Sequence, residues 1–129
     1  DPECQAILPR LNSDLLNLCL ATNNKKLNQC SVKLDNDKSI CIVLASKGYP
    51  ENYKSGFIIK VLKDFPLKST YLFHAGTKQN KSRQIVTSGG RVLNLIVKNK
   101  NLKKAKDLAY TAISKIKCKN LIFRKDIGS

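Results

Sequence analysis

The sequence has no methionine, not even at its first position, and no tryptophan. It also lacks an apolar run near the ~18 residues that a membrane-spanning helix needs. The first segment is acidic and shows no basic start followed by an apolar run, as a secretory signal peptide would. With 42% hydrophobic residues in 129, the chain is predicted to be small, globular, soluble and cytoplasmic, without a membrane partner. The missing initiator methionine raises the question whether this chain is part of a longer protein.

Cysteine pairs at metal-binding spacing are absent as well. The five cysteines are odd in number and widely scattered, at Cys4, Cys19, Cys30, Cys41 and Cys118. None forms a CxxC pair, so the sequence indicates neither a zinc site nor a disulfide framework. We interpret them as free thiols in a reducing cytosol and predict no metal ligands in this chain.

Aromatic residues are scarce beside a large excess of positive charge. The chain has 24 Lys and Arg against 9 Asp and Glu, a net charge of +15, which favours a nucleic-acid partner. Proteins that bind single strands usually stack bases on aromatic rings, yet only 6% of these residues are aromatic, and they occur singly. We therefore expect no nucleic-acid partner, and a freestanding basic module that binds nucleic acid is the alternative interpretation.

Apolar residues at helical spacing predict two helices. The first covers residues 8–21, with an apolar face formed by Leu8, Leu11, Leu15 and Leu18. The second covers residues 102–116 and begins after the N-cap residue Asn101. Its apolar stripe consists of Leu102, Ala105, Ala109, Ala112 and Ile116.

Six short apolar runs predict β-strands. They cover residues 39–46, 57–62, 70–76, 84–87, 91–97 and 121–123. The polar stretch 77–83 and the pair Gly89-Gly90 are predicted to form turns between them. The order of helix, strand meander, helix and strand predicts an α+β fold, with a small, largely antiparallel sheet and packed helices.

The residues alone do not provide a complete catalytic set. The only histidine is His74, at the end of a predicted strand, and no serine or cysteine partner can be placed beside it. We interpret His74 as a hydrogen-bond partner of a neighbouring backbone group. We predict no catalytic residue in this chain.

Two strand ends could present a positive charge to an anion. In "TSGGRV", the backbone N–H groups at Gly89 and Gly90 could form an anion nest closed by Arg91, or the stretch could be a plain hairpin turn. In "ASKGYP", Lys47 leaves a buried strand just before Gly48, either to face a cleft or as an ordinary exit into a loop. The sequence leaves both choices open.

A third stretch, "FRKDIGS", places two cations directly after an apolar strand. Arg124 and Lys125 together suit a phosphate monoester, the arginine by bidentate geometry and the lysine as a point charge. The alternative is a salt bridge from this pair to Asp126. No phosphate-binding glycine loop or dinucleotide fingerprint accompanies them.

Five of these stretches together resemble one enzyme family. The runs "DPECQ", "ASKGYP", "FHAGT", "GGRVLN" and "RKDIG" occur in this order and spacing in the phosphoribosylamine–glycine ligases, also called glycinamide ribonucleotide synthetases. The resemblance extends from Asp1 to Gly128. Because the "DPExQ" run lies at the end of the family's ATP-grasp region, it implies a C-terminal portion of the enzyme. Residues 1–22 would end the ATP-grasp region with a connecting helix, and residues 23–129 would form the C-terminal domain.

The resemblance implies a reaction that this chain would perform only together with the N-terminal ATP-grasp part of the same enzyme. ATP would phosphorylate the carboxylate of glycine, and the amine of 5-phosphoribosylamine would displace the phosphate to give glycinamide ribonucleotide in purine synthesis. ATP with Mg²⁺ or Mn²⁺ would bind to the N-terminal part. We therefore expect this portion alone to hold no cofactor and to be inactive.

The resemblance also orders the candidate residues. Related ATP-grasp ligases hold a ribose 5-phosphate with a basic pair in a similar C-terminal strand, which implies Arg124 and Lys125 first and Arg91 second. The residues that would lie beside the site are Asp1, Glu3, Lys47, His74, Gly89 and Gly90. The sequence departs from the family pattern at Glu51 and Ser88, both in predicted loops, and it ends earlier than the family generally does.

Overall fold

The structure, a computed structural model, describes residues 2–66 and 68–129. Its helices are α1 (Pro2–Ile7), α2 (Leu15–Asn23) and α3 (Leu102–Ser114), with 3₁₀ turns at Leu8–Arg10 and Leu27–Gln29. Its strands are β1 (Lys38–Ser46), β2 (Lys60–Val61), β3 (Thr70–His74), β4 (Thr77–Gln79), β5 (Ile85–Thr87), β6 (Arg91–Asn99), β7 (Ile116–Lys117) and β8 (Leu121–Ile122).

A four-stranded antiparallel sheet in the order β3-β6-β1-β8 forms the centre of the fold. Along β1 every second side chain is buried, up to Ser46, because successive strand residues face opposite sides of a sheet. The core beneath α3 contains Ile40, Ile42, Leu44, Leu93, Leu95 and Val97. The predicted α+β fold with a small, largely antiparallel sheet is confirmed.

Helix α3 covers one face of this sheet. The backbone N–H of Lys104 donates to the side chain of Asn101 at 3.0 Å, so Asn101 is the N-cap, as predicted. The buried side of the helix consists of Ala105, Ala109, Ala112 and Ile113. Small alanines let the helix lie close to β1 and β6, whose branched side chains fill the core. The helix ends at Ser114, earlier than predicted, and Ile116 is buried as part of β7.

The prediction of a single helix over residues 8–21 is wrong. The chain instead forms α1, a 3₁₀ turn and a separate α2, with a break at residues 11–14. In the break, Leu11 forms a β-bridge with Leu34, and Asp14 caps α2 by accepting the backbone N–H of Asn17 at 2.9 Å. The bridge and the cap satisfy backbone groups that a continuous helix would have paired internally.

Two short antiparallel ribbons complete the fold. β2 pairs with β7, and β4 pairs with β5. Because β4 begins at the first residue of 77–83, the prediction that this whole stretch is a turn is wrong. The strand predicted over 57–62 is reduced to β2, and Ile58 forms an isolated bridge with Val86. In the ranges that the structure describes, no helix is long and apolar enough to cross a membrane.

Candidate functional site

A β-bulge in β6 determines which way Arg91 faces. β1 and β6 pair residue by residue as far as Leu44 and Leu93, but the next residue of β1, Ala45, pairs with Arg91. Val92 is thus the extra residue, and it is fully buried in the core. In a regular strand Arg91, two residues before Leu93, would lie on the α3 side with Leu93, since strand side chains alternate. The bulge places Arg91 on the opposite face, where it is exposed beside Ala45.

Strand β8 brings Arg124 to the same face. Ile122 pairs with Ala45 across the other edge of β1, and Arg124 follows two residues later. Arg91 and Arg124 line one cavity of about 390 Å³. The other lining residues are Pro2, Val43, Ala45, Tyr49, Ile122 and Phe123. Two guanidinium groups beside aliphatic and aromatic carbon suit a small anion with a carbon skeleton.

Arg124 also forms the salt bridge to Asp126 that the sequence analysis gave as the alternative to phosphate binding. Its Nε lies 3.0 Å from Oδ1 of Asp126, and its Nη2 bonds Oδ2 of the same carboxylate. Hydrogen bonding within this pair raises the pKa of Arg124 and lowers the pKa of Asp126. The Arg124 side chain remains 75% exposed, and a guanidinium has more N–H donors than one carboxylate occupies. The salt bridge therefore orients Arg124 and leaves it able to bind a further anion.

The two lysines singled out in the sequence lie outside this cavity. Lys125 is exposed next to Arg124 and does not line the cavity. Lys47 is exposed directly after β1, where its backbone N–H donates to the carbonyl of Asn120 at 2.9 Å. Of the four predicted cations, the structure brings together Arg91 and Arg124.

The glycines of the "GGR" run allow close packing at the start of β6. The backbone N–H of Ser46 donates to the carbonyl of Gly90 at 2.7 Å, and its Oγ donates to the carbonyl of Gly89 at 2.8 Å. A Cβ on Gly90 would lie 2.1 Å from Cδ2 of Tyr49, so the ring can lie there only against a glycine. Because Tyr49 lines the cavity, these contacts position a cavity wall as well as Arg91.

Sequence reasoning missed Gly76, the glycine of the "FHAGT" run. A Cβ on Gly76 would lie 2.6 Å from the carbonyl oxygen of Arg91 and 2.7 Å from Cα of Gly89. The backbone N–H of Gly76 donates to that same Arg91 carbonyl at 2.8 Å. The signal in the sequence was a glycine at the last position of a predicted strand, but spacing alone does not reveal which backbone it approaches.

His74 lies at the end of β3, opposite Leu93 in the pairing with β6. Its Nδ1 is 3.0 Å from Oγ1 of Thr77, so its partner is a neighbouring side chain rather than the backbone group expected. His74 is exposed and does not line the cavity of Arg91. The geometry therefore assigns it a local structural contact.

Helix α1 contacts β1 and borders the cavity through Pro2. Glu3 is exposed on this helix, whereas Asp1 lies outside the described residues. Burial, with a smaller contribution from the Glu3 carboxylate, raises the pKa of the Cys41 thiol to about 11. The Cys41 thiol is therefore protonated at neutral pH.

The donors of the cavity do not fit a divalent cation. Mg²⁺ and Mn²⁺ bind carboxylate, carbonyl and water oxygens, whereas among the described residues the polar side chains lining this cavity are Arg91, Arg124 and Tyr49. Across residues 2–66 and 68–129, no three His, Cys, Asp or Glu side chains are grouped so that they could hold a metal ion. We assign no metal to the cavity.

Known proteins match this chain along its whole length. Residues 39–129 match the family model described as phosphoribosylglycinamide synthetase, C domain. The phosphoribosylamine–glycine ligase of Caldanaerobacter subterraneus is 42% identical over 129 residues, and the chloroplastic one of Arabidopsis thaliana is 39% identical over 130 residues. These matches cover 100% and 99% of this chain but only 30% and 24% of the two relatives.

A solved structure has the same fold. The crystal structure of phosphoribosylamine–glycine ligase from Thermotoga maritima superposes with a TM-score of 0.78 at 25% identity, over 98% of this chain and 30% of that chain. The chain thus spans less than a third of the length of these relatives. The family match includes β1, β6 and the segment of Arg124, which together form the cavity. The resemblance carried by the five sequence runs is confirmed, and the chain belongs to the phosphoribosylglycinamide synthetase C-domain family.

Proposed function

We propose that this chain is the C-terminal portion of an ATP-dependent phosphoribosylamine–glycine ligase of purine synthesis. In the complete enzyme, ATP would phosphorylate the carboxylate of glycine, and the amine of 5-phosphoribosylamine would displace the phosphate to give glycinamide ribonucleotide. Family membership supports the reaction class. The observation that carries a role for this chain is the convergence of Arg91 and Arg124 on one cavity.

The proposed ligand of this cavity is the 5-phosphate of the sugar substrate. Phosphate oxygens accept paired N–H bonds from arginine. Arg91 approaches the cavity from β6 and Arg124 from the segment that follows β8, and these two strands flank β1. The apolar lining would face the carbon atoms of the ligand. A phosphate fixed here would orient the amine at the other end of the substrate, and such positioning lowers the barrier to its attack. Lys125 would add only its nearby charge.

We place ATP and its Mg²⁺ or Mn²⁺ on the part of the enzyme that this chain does not cover. The arginine-lined cavity supports this division, because its donors suit an anion and not a metal ion. The isolated chain would then be inactive. Residues 1–22 would belong to the ATP-grasp region and residues 23–129 to the C-terminal domain. The free cysteines fit the reducing cytoplasm as the compartment.

A chimera tests the reaction. The segment of the Caldanaerobacter subterraneus ligase that aligns with this chain is replaced by this chain, and ADP release is measured with glycine and phosphoribosylamine. We expect release that requires both substrates, from the chimera but not from the isolated chain. The relative without the aligned segment is the matched control. A folded chimera that binds ATP but releases no ADP when both substrates are present would contradict the proposal.

A further inference from the structure

Arg124 lies in a segment without regular secondary structure. Strand β8 ends at Ile122, and none of residues 123–129, all of which the structure describes, belongs to a helix or a strand. Backbone groups in such a segment lack the pairing that a sheet provides, so other contacts determine its path. The position of the Arg124 guanidinium at the cavity therefore depends on those contacts.

The hydroxyl group of Tyr110, on α3, supplies them. The backbone N–H of Ile127 donates to Oη of Tyr110 at 3.1 Å. The same hydroxyl can donate to the carbonyl of Ile127 at 3.2 Å or to the carbonyl of Arg124 at 3.3 Å. A hydroxyl has one donor and two acceptor positions. This one side chain therefore reaches both the first and the last residue of the segment 124–127.

The ring of Tyr110 packs against the residue that precedes Arg124. Its centroid lies 6.2 Å from the ring centroid of Phe123, with the ring planes 42° apart. Tyr110, Phe123 and Ile127 are partly buried and pack against the core beneath α3. Phe123 also lines the cavity together with Arg124. Tyr110 thus links α3, which covers one face of the sheet, to residues that border the cavity on the opposite face.

The salt bridge of Arg124 depends on the same segment. Asp126, whose Oδ1 lies 3.0 Å from Nε of Arg124, is situated between the two residues that Tyr110 contacts. Downstream, the backbone N–H of Ser129 donates to the carbonyl of Asp126 at 3.3 Å, and Lys106 of α3 donates to Oγ of Ser129 at 3.3 Å. Contacts with α3 therefore fix the backbone on both sides of Asp126, which orients the guanidinium.

We infer that Tyr110 is a positioning residue for the phosphate site. Its hydroxyl holds the segment 124–127 in the conformation that keeps Arg124 bonded to Asp126 and directed at the cavity. The inference rests on the proposed function, because the ligand is the 5-phosphate proposed above. Tyr110 does not line the cavity and acts through Arg124. A guanidinium that is already oriented loses less conformational freedom when it binds an anion.

A purely structural role is the alternative, and it leads to a different result. Tyr110→Phe keeps the ring in the core and removes only the hydroxyl. If the hydroxyl served stability alone, its loss would lower the amount of folded enzyme and leave the KM of every substrate unchanged. If the hydroxyl positions Arg124, its loss weakens binding of the substrate that carries the phosphate and raises the KM of that substrate.

Kinetics of the chimera carrying Tyr110→Phe test the inference. The KM for phosphoribosylamine should rise by about 3- to 10-fold, the effect of losing about one net hydrogen bond, while the KM values for ATP and glycine change little. The matched control is Tyr71→Phe, which removes the same group from an exposed ring on β3 outside the cavity. It should leave all three KM values unchanged. An unchanged KM for phosphoribosylamine in Tyr110→Phe would overturn the inference.

Hydrogen exchange in the isolated chain tests the contact without any substrate. The Ile127 amide is bonded to Tyr110 and should exchange slowly. In Tyr110→Phe its exchange, followed by NMR, should become faster by about threefold or more, while the amides of β1 and β6 keep their rates. Equal exchange of the Ile127 amide in both chains would also overturn the inference, because the hydroxyl would then not hold the segment.

The two possible failures can be told apart. A folded chimera of the unmodified chain that releases no ADP would contradict the proposed function, and with it any role of Tyr110 toward a substrate. An active chimera in which Arg124→Ala raises the KM for phosphoribosylamine, but Tyr110→Phe does not, would contradict the inference alone.

Discussion

Two uncharged residues determine the orientation of Arg91, one adjacent in the sequence and one distant. Val92 supplies the bulge that turns Arg91 away from the core, and Gly76 lets the β3–β4 connection approach the Arg91 carbonyl. Neither is a phosphate ligand. Substitutions at these positions should therefore act on the cavity through backbone geometry.

Gly76→Ala tests this close approach. The added Cβ would lie 2.6 Å from the carbonyl oxygen of Arg91 and 2.7 Å from Cα of Gly89, both backbone atoms that cannot rotate away. We expect the free energy of unfolding to fall by about 1–3 kcal/mol, as overpacking usually costs. Urea titration of the isolated chain measures it, and an unchanged value would contradict the packing described.

The longest regular elements follow from local sequence patterns. β1 and β6 were predicted from short runs of apolar and β-branched residues, and α3 from apolar residues at helical spacing. The break between α1 and α2 could not be predicted. The leucine spacing continues across it, while the β-bridge from Leu11 to Leu34 that interrupts the helix is a long-range contact.

The candidate site was predictable only in part. Arg91 and Arg124 were chosen from strand ends and from the family resemblance, but their convergence depends on strand order and on the bulge at Val92. Lys125 looked equivalent to Arg124 in the sequence. In the structure the chain leaves β8 at Ile122 and bends at Lys125, so Arg124 lines the cavity and Lys125 does not.

Lys98 of β6 bonds the carboxylate of Asp35 and so holds the N-terminal segment against the sheet. This contact predicts a pH-dependent stability. A hydrogen bond from Lys98 lowers the pKa of Asp35 below its ordinary value of 3.8. A carboxyl whose pKa is lowered by folding adds stability above its unfolded pKa, and this stability is lost as the pH falls through the folded pKa. Lys98→Gln should therefore destabilise the chain at neutral pH, and its difference from the unmodified chain should shrink as the pH falls below 3.8.

Urea midpoints at several pH values measure this difference. Lys100→Gln, at an exposed position two residues away, is the matched control and should have little effect. The difference in urea midpoint between Lys98→Gln and the unmodified chain should not stay constant from neutral to acid pH. A constant difference would contradict the role given to the Lys98–Asp35 bond.

The charge of the whole molecule bears on the alternative function. A net charge of +15 attracts any polyanion, but the exposed aromatic residues Tyr71 and Phe73 stack on each other, with ring centroids 6.3 Å apart. We expect single-stranded DNA to bind no more tightly than about 10⁻⁶ M at physiological salt, as in non-specific binding. Fluorescence anisotropy measures it, and a tighter, sequence-dependent complex would favour the nucleic-acid-binding alternative.

The central claim is that this chain contributes the phosphate site of a phosphoribosylamine–glycine ligase. Its most direct test is the KM for phosphoribosylamine in the chimera carrying Arg124→Ala. Loss of charged hydrogen bonds should raise this KM by about 10- to 100-fold, while the KM for ATP changes little. Lys125→Ala, just outside the cavity, is the matched control and should have a much smaller effect. An unchanged KM for phosphoribosylamine in Arg124→Ala would contradict the account.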